Sequence, residues 1–319
     1  MKKIISVLII IAFAFTFTAG CSKSETSVIG ISQYGEHASL DNCREGFIQG
    51  LIDYGLVEDE DFKIDYQNAG FDDNIATQIA QRFSANNVAM MCAIATPSAT
   101  ACFAAAEDKD IPVVFTAITD PIEAKLDKGN VTGTSDRLPV DAQLEMIRKL
   151  QPQAETIGIL YTTSEPNSVS AITEYQDKAP NYGFSIEAIG VMQQSEVTLA
   201  ADNLIGKGVD CFSNLTDNNV VGVLPAILEK TDQAGIAVYG SEVEQVRLGC
   251  VASAGIDYFL LGQQTGIMAA KILKGESTAE DMPYESITDF SYYINTQALL
   301  RMEIVVPDDL AAQAIEMGE

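Results

Sequence analysis

Apolar and polar positions follow a repeating order along this chain: a short apolar run, a turn, then a stretch with helical periodicity. Residues 28–33 form the first apolar run and 40–54 the first amphipathic stretch, closed by Gly55. Residues 62–67 alternate as a second strand and 73–86 read as a helix. Residues 88–106, VAMMCAIATPSATACFAAA, read as a buried strand running into an alanine-rich helix, and 111–116 as a fourth strand. Around 129–134 the pattern breaks into polar and glycine-rich residues, which predicts a passage to a second lobe. The alternation then restarts with helix 140–150, strand 156–161, helix 168–182, strand 185–191, helix 196–206 and strand 211–214. Helix 220–234, strands 237–239 and 250–254, helix 258–273, strand 291–295 and a terminal helix complete it. Strands separated by helices predict parallel sheets covered on both faces, with right-handed crossovers. The expected fold class is α/β, with two doubly wound parallel-sheet lobes.

Composition agrees with two lobes: 319 residues, 47% of them hydrophobic, supply more than one core. The formal charge of −26 argues against nucleic acid and anionic membrane surfaces as partners, because both would repel it. The N-terminus carries Lys2 and Lys3, an apolar run over 4–17 and the small residues Thr18-Ala19-Gly20 before Cys21. That order predicts an export signal over 1–20, with Cys21 as the lipidated residue, which places the chain on the outer face of the cytoplasmic membrane. Loss of 1–20 removes two lysines and no acid, leaving a charge of −28. Residues 21–27 form the expected tether. The remaining cysteines, Cys43, Cys92, Cys102, Cys211 and Cys250, show neither metal-ligand nor CxxC spacing and are expected as buried free thiols.

Open parallel sheets bind ligands beyond the carboxyl ends of their strands, so the residues following each strand carry the candidate chemistry. The first lobe offers Ser32, Gln33, Thr96, Ser98, Thr116 and Asp120. The second offers Tyr161, Glu165, Asn167, Ser168, Thr216, Asp217, Asn218, Ser241 and Glu242. At Ala95-Thr96-Pro97-Ser98 a helix start presents backbone donors, including those of Ser98 and Ala99, to an anion. Hydroxyls on one side and acids on the other suit a zwitterion whose carboxylate meets the helix start and whose ammonium meets Asp217 or another acid. His37, the only histidine, reads as a loop residue, with Tyr34, His37, Tyr161 and Tyr239 as candidate walls. No Gly-rich phosphate loop, GxSxG or HExxH occurs, so neither an enzyme nor a cofactor or metal site is expected.

Several stretches together resemble one family: Ile29–Gln33, Ile64-Asp-Tyr-Gln-Asn68, Ala93-Ile-Ala-Thr-Pro97, Val114-Phe-Thr-Ala-Ile-Thr-Asp-Pro121 and Asn130-Val-Thr-Gly-Thr-Ser-Asp136. Ile157-Gly-Ile-Leu-Tyr161, Ser164-Glu-Pro-Asn-Ser168, Thr216-Asp-Asn218, Gly255-Ile-Asp-Tyr258 and Leu261-Gly-Gln-Gln-Thr-Gly266 extend the likeness over nearly the whole mature chain. They look like the ABC-transporter substrate-binding proteins that include the tryptophan- and tyrosine-binding lipoproteins. Departures are Asn214-Leu215 where a proline is usual before Thr216, and Gly240-Ser241-Glu242 in place of a serine-aspartate pattern. The resemblance implies a type I periplasmic-binding fold with lobes joined by crossing strands, lobe one at 28–136 plus about 257–285, lobe two at 137–256 plus about 286–319. It further implies an amino acid, expected to be aromatic, held between closing lobes and passed to an ABC permease and its ATPase. It places Thr96, Ser98, Thr116, Glu165, Ser168, Asp217 and Asn218 facing the cleft. A ligand sensor for a membrane receptor and an extracellular enzyme are the alternatives.

Overall fold

The computed structural model describes residues 26–287 and 289–317; the export signal and Cys21 lie outside them. The chain opens with β1 (Ser27–Gln33), α1 (Ala38–Asp53), β2 (Phe62–Asn68), α2 (Asp73–Ala85), β3 (Met90–Ile94), α3 (Thr96–Ala106), β4 (Val113–Ile118) and β5 (Val131–Ser135). There follow α4 (Val140–Leu150), β6 (Thr156–Thr162), α5 (Pro166–Lys178), β7 (Ser185–Val191), α6 (Val197–Lys207) and β8 (Cys211–Ser213). Next come α7 (Asn218–Val221), α8 (Leu224–Ala234), β9 (Ala237–Tyr239), α9 (Val243–Leu248) and β10 (Ala252–Gly255). The end of the chain supplies α10 (Tyr258–Leu273), β11 (Glu285–Ser286), β12 (Ser291–Ile294), α11 (Thr296–Arg301), α12 (Asp308–Ala311) and β13 (Ala314–Glu316).

The first lobe is a parallel sheet in the order β11-β5-β4-β3-β1-β2. The second is the parallel sheet β7-β6-β8-β9, continued through a single bridge from Gly240 to Ser253 into β10-β12-β13. Every residue of β3 and β4 is buried, as a strand covered on both faces requires. The chain passes between the lobes three times: after Ser135, after Gly255 and after Ser286.

Three boundaries differ from the sequence expectation. Residues 129–134 belong largely to β5, a fifth strand of the first lobe, and the crossing comes after it. Thr134 is buried but satisfied, its Oγ1 2.7 Å from Thr265 Oγ1 on α10 and 3.3 Å from Thr116 Oγ1, whereas the buried Thr132 hydroxyl has no partner. The helix expected over 220–234 is divided, because Pro225 lacks an amide proton and sits in the first turn of a new helix, α8. The single terminal helix is two short helices and a strand.

Backbone meets backbone where α1 crosses α10. A Cβ at Gly46 would stand 2.0 Å from the Phe259 carbonyl oxygen, and one at Gly262 2.1 Å from that of Cys43. Gly50 and Gly266 are equally tight. Only glycine permits this approach. The expected free thiols are all buried: Cys43, Cys92, Cys102, Cys211 and Cys250 are unpaired.

Candidate functional site

The lobes are closed on one another, and hydrogen bonds cross the gap. Ser39 Oγ at the start of α1 donates to Glu242 Oε1 at 3.0 Å, Asn42 Nδ2 donates to Glu244 at 2.8 Å, and Ser170 Oγ donates to Asp120 at 2.9 Å. Thr119 Oγ1 donates to Asp136 at 3.0 Å and lies 3.1 Å from Thr216 Oγ1, so Thr216 donates to Thr119. Between the lobes lies a narrow cavity of about 20 Å³, walled by His37, Ser39, Leu40, Ala117, Asp136 and Tyr258 from one side and by Thr216, Asn218, Val221, Glu242 and Gln245 from the other. A wider groove at the surface holds Arg137, Glu174 and Lys178, but these already pair with one another.

Two strand ends of the first lobe carry strained backbone. Ala95, after β3, has φ 78°, and Ala117, at a bulge in β4, has φ 59°, conformations that cost a non-glycine residue about 1–3 kcal/mol. The bulge brings Ala117 to the cavity wall and Thr119 to Asp136. Gly35 is required after β1, because a Cβ there would stand 1.9 Å from the Phe71 ring. Phe71 in turn stacks on His37, with ring centroids 6.3 Å apart and planes inclined by 6°.

The electrostatics of the gap are one-sided. Asp136, Glu165, Asp217 and Glu242 are all buried, and none is in an ion pair among the described residues. Burial pushes Glu242 up to about 7, and burial with the neighbouring Asp217 charge pushes Glu165 up to about 8. Burial also raises Asp136, against the opposing hydrogen bonds from Tyr258 and Thr119. No Lys or Arg lines the cavity among the described residues. Burial lowers His37 to about 4, so its ring is neutral at pH 7. The residue keeps some surface at the rim, yet both ring nitrogens are shielded from solvent and without hydrogen-bond partners.

Of the residues the sequence put forward, His37, Thr216, Asn218 and Glu242 line this cavity. Asp217 is committed elsewhere. Its carboxylate accepts from Thr162 N, Thr162 Oγ1 at 2.8 Å, Ser168 Oγ at 2.7 Å and Val220 N at 2.9 Å, all in its own lobe. Glu165 is likewise held by Asn167, Asn218 and Asn219. Ser32 Oγ donates to Ser98 Oγ, and Gln33 ties Gly35 to Asp41. Thr96 is buried with its hydroxyl unpartnered, and Ala99 N bonds to Ala95 O. Thr116 contacts the Cys43 sulfur at 3.7 Å, and Ser241 Oγ accepts from Gln245. Tyr161 is half-buried on β6. Tyr239 is no wall: it lies in the second-lobe core with its hydroxyl on Gln151. Asp136 and Tyr258 were not singled out, although both follow strands, and Asp136 closes the stretch that looked like a crossing.

A sequence model of ABC transporter substrate binding proteins matches residues 28–317. The chain belongs to this family. Within it, a tyrosine-binding protein of Clostridioides difficile (strain R20291) is 36% identical over 95% of this chain and 93% of its own length. A Streptococcus pneumoniae structure in complex with L-Trp superposes with a TM-score of 0.87 at 31% identity, covering 91% of this chain and 99% of that one. The ligand-free, open structure of a Clostridium difficile substrate-binding protein with adhesive properties reaches 0.67 at 35% identity, covering 92% and 100%. The higher score goes with the ligand-bound relative, in keeping with the closed lobes seen here. A Bacillus halodurans solute-binding protein with bound myo-inositol, 17% identical, shares the two-lobed fold at a TM-score of 0.64. As a family member the chain is a solute-binding protein, and its two α/β lobes are the type I periplasmic-binding architecture. No described helix is long and apolar enough to cross a membrane.

Proposed function

We propose that this protein captures an amino acid with an aromatic side chain between its lobes and delivers it to an ABC permease driven by a cytoplasmic ATPase. The observation that carries this reading is the cavity itself: a closed gap whose buried acids, Asp136 and Glu242, have no cation to balance them among the described residues. Unbalanced buried carboxylates favour a ligand that brings positive charge. The stacked His37 and Phe71 rings add an aromatic surface next to it. The L-Trp complex and the tyrosine-binding relative support the aromatic class. Export and lipid attachment through Cys21 complete the reading, with the chain tethered at the outer face of the membrane; intact-mass analysis of membrane-extracted protein, compared with Cys21→Ser, tests the anchor.

Thermal denaturation against the twenty amino acids tests the capture. Binding to the native state raises the melting temperature by mass action, about 2.7 kcal/mol of stabilisation at a hundredfold excess over Kd. Tryptophan, tyrosine or phenylalanine is expected to give the largest shift, and no shift from any of the three would reject the aromatic assignment.

A further inference from the structure

The closed cavity contains a receptor for each end of a zwitterion, side by side. One is the start of α1. Its first intrahelical bond runs from Asp41 N to His37 O at 3.1 Å, so the amides of Ala38, Ser39 and Leu40 precede the helical ladder, and His37 at the N-cap makes no side-chain cap bond. Sixteen residues of helix stand behind these donors. The His37 ring adds an N–H shielded from solvent, with only the Asn218 side chain beside it and no well-formed hydrogen bond. The other receptor is acidic: Glu242 from the second lobe, which also caps α9 through Glu244 N and Gln245 N, and Asp136 at the end of β5, which accepts from Thr119 and Tyr258, both on the cavity wall. The two meet at one contact, the 3.0 Å hydrogen bond from Ser39 Oγ to Glu242 Oε1. In an α-amino acid the carboxylate and ammonium sit on the same carbon, so their receptors must be immediate neighbours.

We propose that an α-amino acid inserts at the Ser39–Glu242 contact, its carboxylate taking the start of α1 with Ser39 Oγ and the His37 N–H, and its ammonium taking Glu242 and Asp136. This rests on the amino-acid reading above and differs from the seats expected from sequence, the start of α3 and Asp217. The start of α3 is not part of the cavity wall, and the oxygens of Asp217 are occupied within its lobe. The insertion would give a charged partner to the shielded imidazole and to buried acids that have no ion pair among the described residues. The Ser39–Glu242 hydrogen bond of the empty site would give way to charge-assisted bonds at both ends.

The test crosses protein variants with ligand truncations in calorimetric titrations. The ligands are L-tryptophan or L-tyrosine, whichever gives the larger thermal shift, its carboxamide, and its deaminated 3-arylpropionate, weak binders being read by displacement. The proteins are wild type, His37→Phe, which keeps a ring against Phe71, and Glu242→Gln; His37→Gln replaces the first if it does not fold. Amidation is expected to weaken wild-type binding about tenfold or more and to matter several-fold less in the His37 variant. Deamination is expected to behave the same way with Glu242→Gln, while each variant leaves the other truncation's penalty within about twofold. Truncation penalties that are identical in wild type and both variants would overturn the assignment while leaving amino-acid binding intact. Failure of wild type to bind either amino acid overturns the underlying reading instead.

Discussion

Asp217→Ala separates two roles that sequence alone leaves merged. As the partner of a ligand ammonium, Asp217 would be dispensable to the empty protein. As placed here, it joins the end of β6, the first turn of α5 and the start of α7 through four accepted hydrogen bonds. On truncation the hydroxyls of Thr162 and Ser168 can rotate to other acceptors. The amides of Thr162 and Val220 cannot. Each buried donor left without a partner costs about 1–3 kcal/mol. Removing a buried charge beside Glu165 returns part of that, since Asp217 contributes to raising Glu165. The net expectation is a loss of about 2–4 kcal/mol without any ligand present. Urea denaturation of the ligand-free variant, followed by circular dichroism, measures it through the midpoint at unchanged slope. A variant that unfolds at the wild-type midpoint yet fails to bind amino acid would refute the buttress and restore Asp217 as the ammonium site.

Two further outcomes follow from the same coordinates. Glu242 and Glu165 have folded-state values of about 7 and about 8, above the usual 4.5, so the native protein holds protons that the unfolded chain has released. Ligand-free stability is therefore highest near the unfolded value, declines as pH rises through that window and is level above about 8; a melting temperature that rises from pH 5 to pH 8 would contradict this, and Glu242→Gln is expected to flatten the profile. Gly262→Ala places a methyl 2.1 Å from the Cys43 carbonyl oxygen, where the backbone cannot yield without separating α1 from α10. A cost of about 1–3 kcal/mol is expected in thermal melts, and wild-type stability would show that the helices are not so closely seated.

Much of the fold was legible because hydrophobic runs such as MMCAI in β3 have no other use than a doubly covered strand. β5 escaped for a physical reason. Its VTGTS sequence looks like loop, and partners from elsewhere in the chain, the hydroxyls of Thr116 and Thr265 for Thr134 and the Thr119 carbonyl for Ser135, are what make such a polar strand tolerable inside. The six-residue α9 is too short to show a period. For the site, position after a strand selected the right loops but not the side chains that face the gap. All four buried carboxylates accept hydrogen bonds within their own lobes, and only the packing of the two lobes puts Glu242 and Asp136 on the cavity wall and leaves Asp217 and Glu165 behind it. His37 was conspicuous as the lone histidine, but its shielding comes from Phe71, 34 positions along the chain, and from the opposite lobe.

The glycine-lined crossing of α1 and α10 has a mechanical meaning. α10 begins three residues beyond the second passage between the lobes, and its first residue, Tyr258, donates its hydroxyl to Asp136 at the cavity wall. With backbones in contact at four positions, the two helices have no slack in which to slide or roll separately. They form a single stiff lever with its fulcrum beside Gly255. A rotation of the second lobe about that point would swing Glu242 toward or away from a helix start held in a fixed mount, as a caliper moves with one jaw stationary.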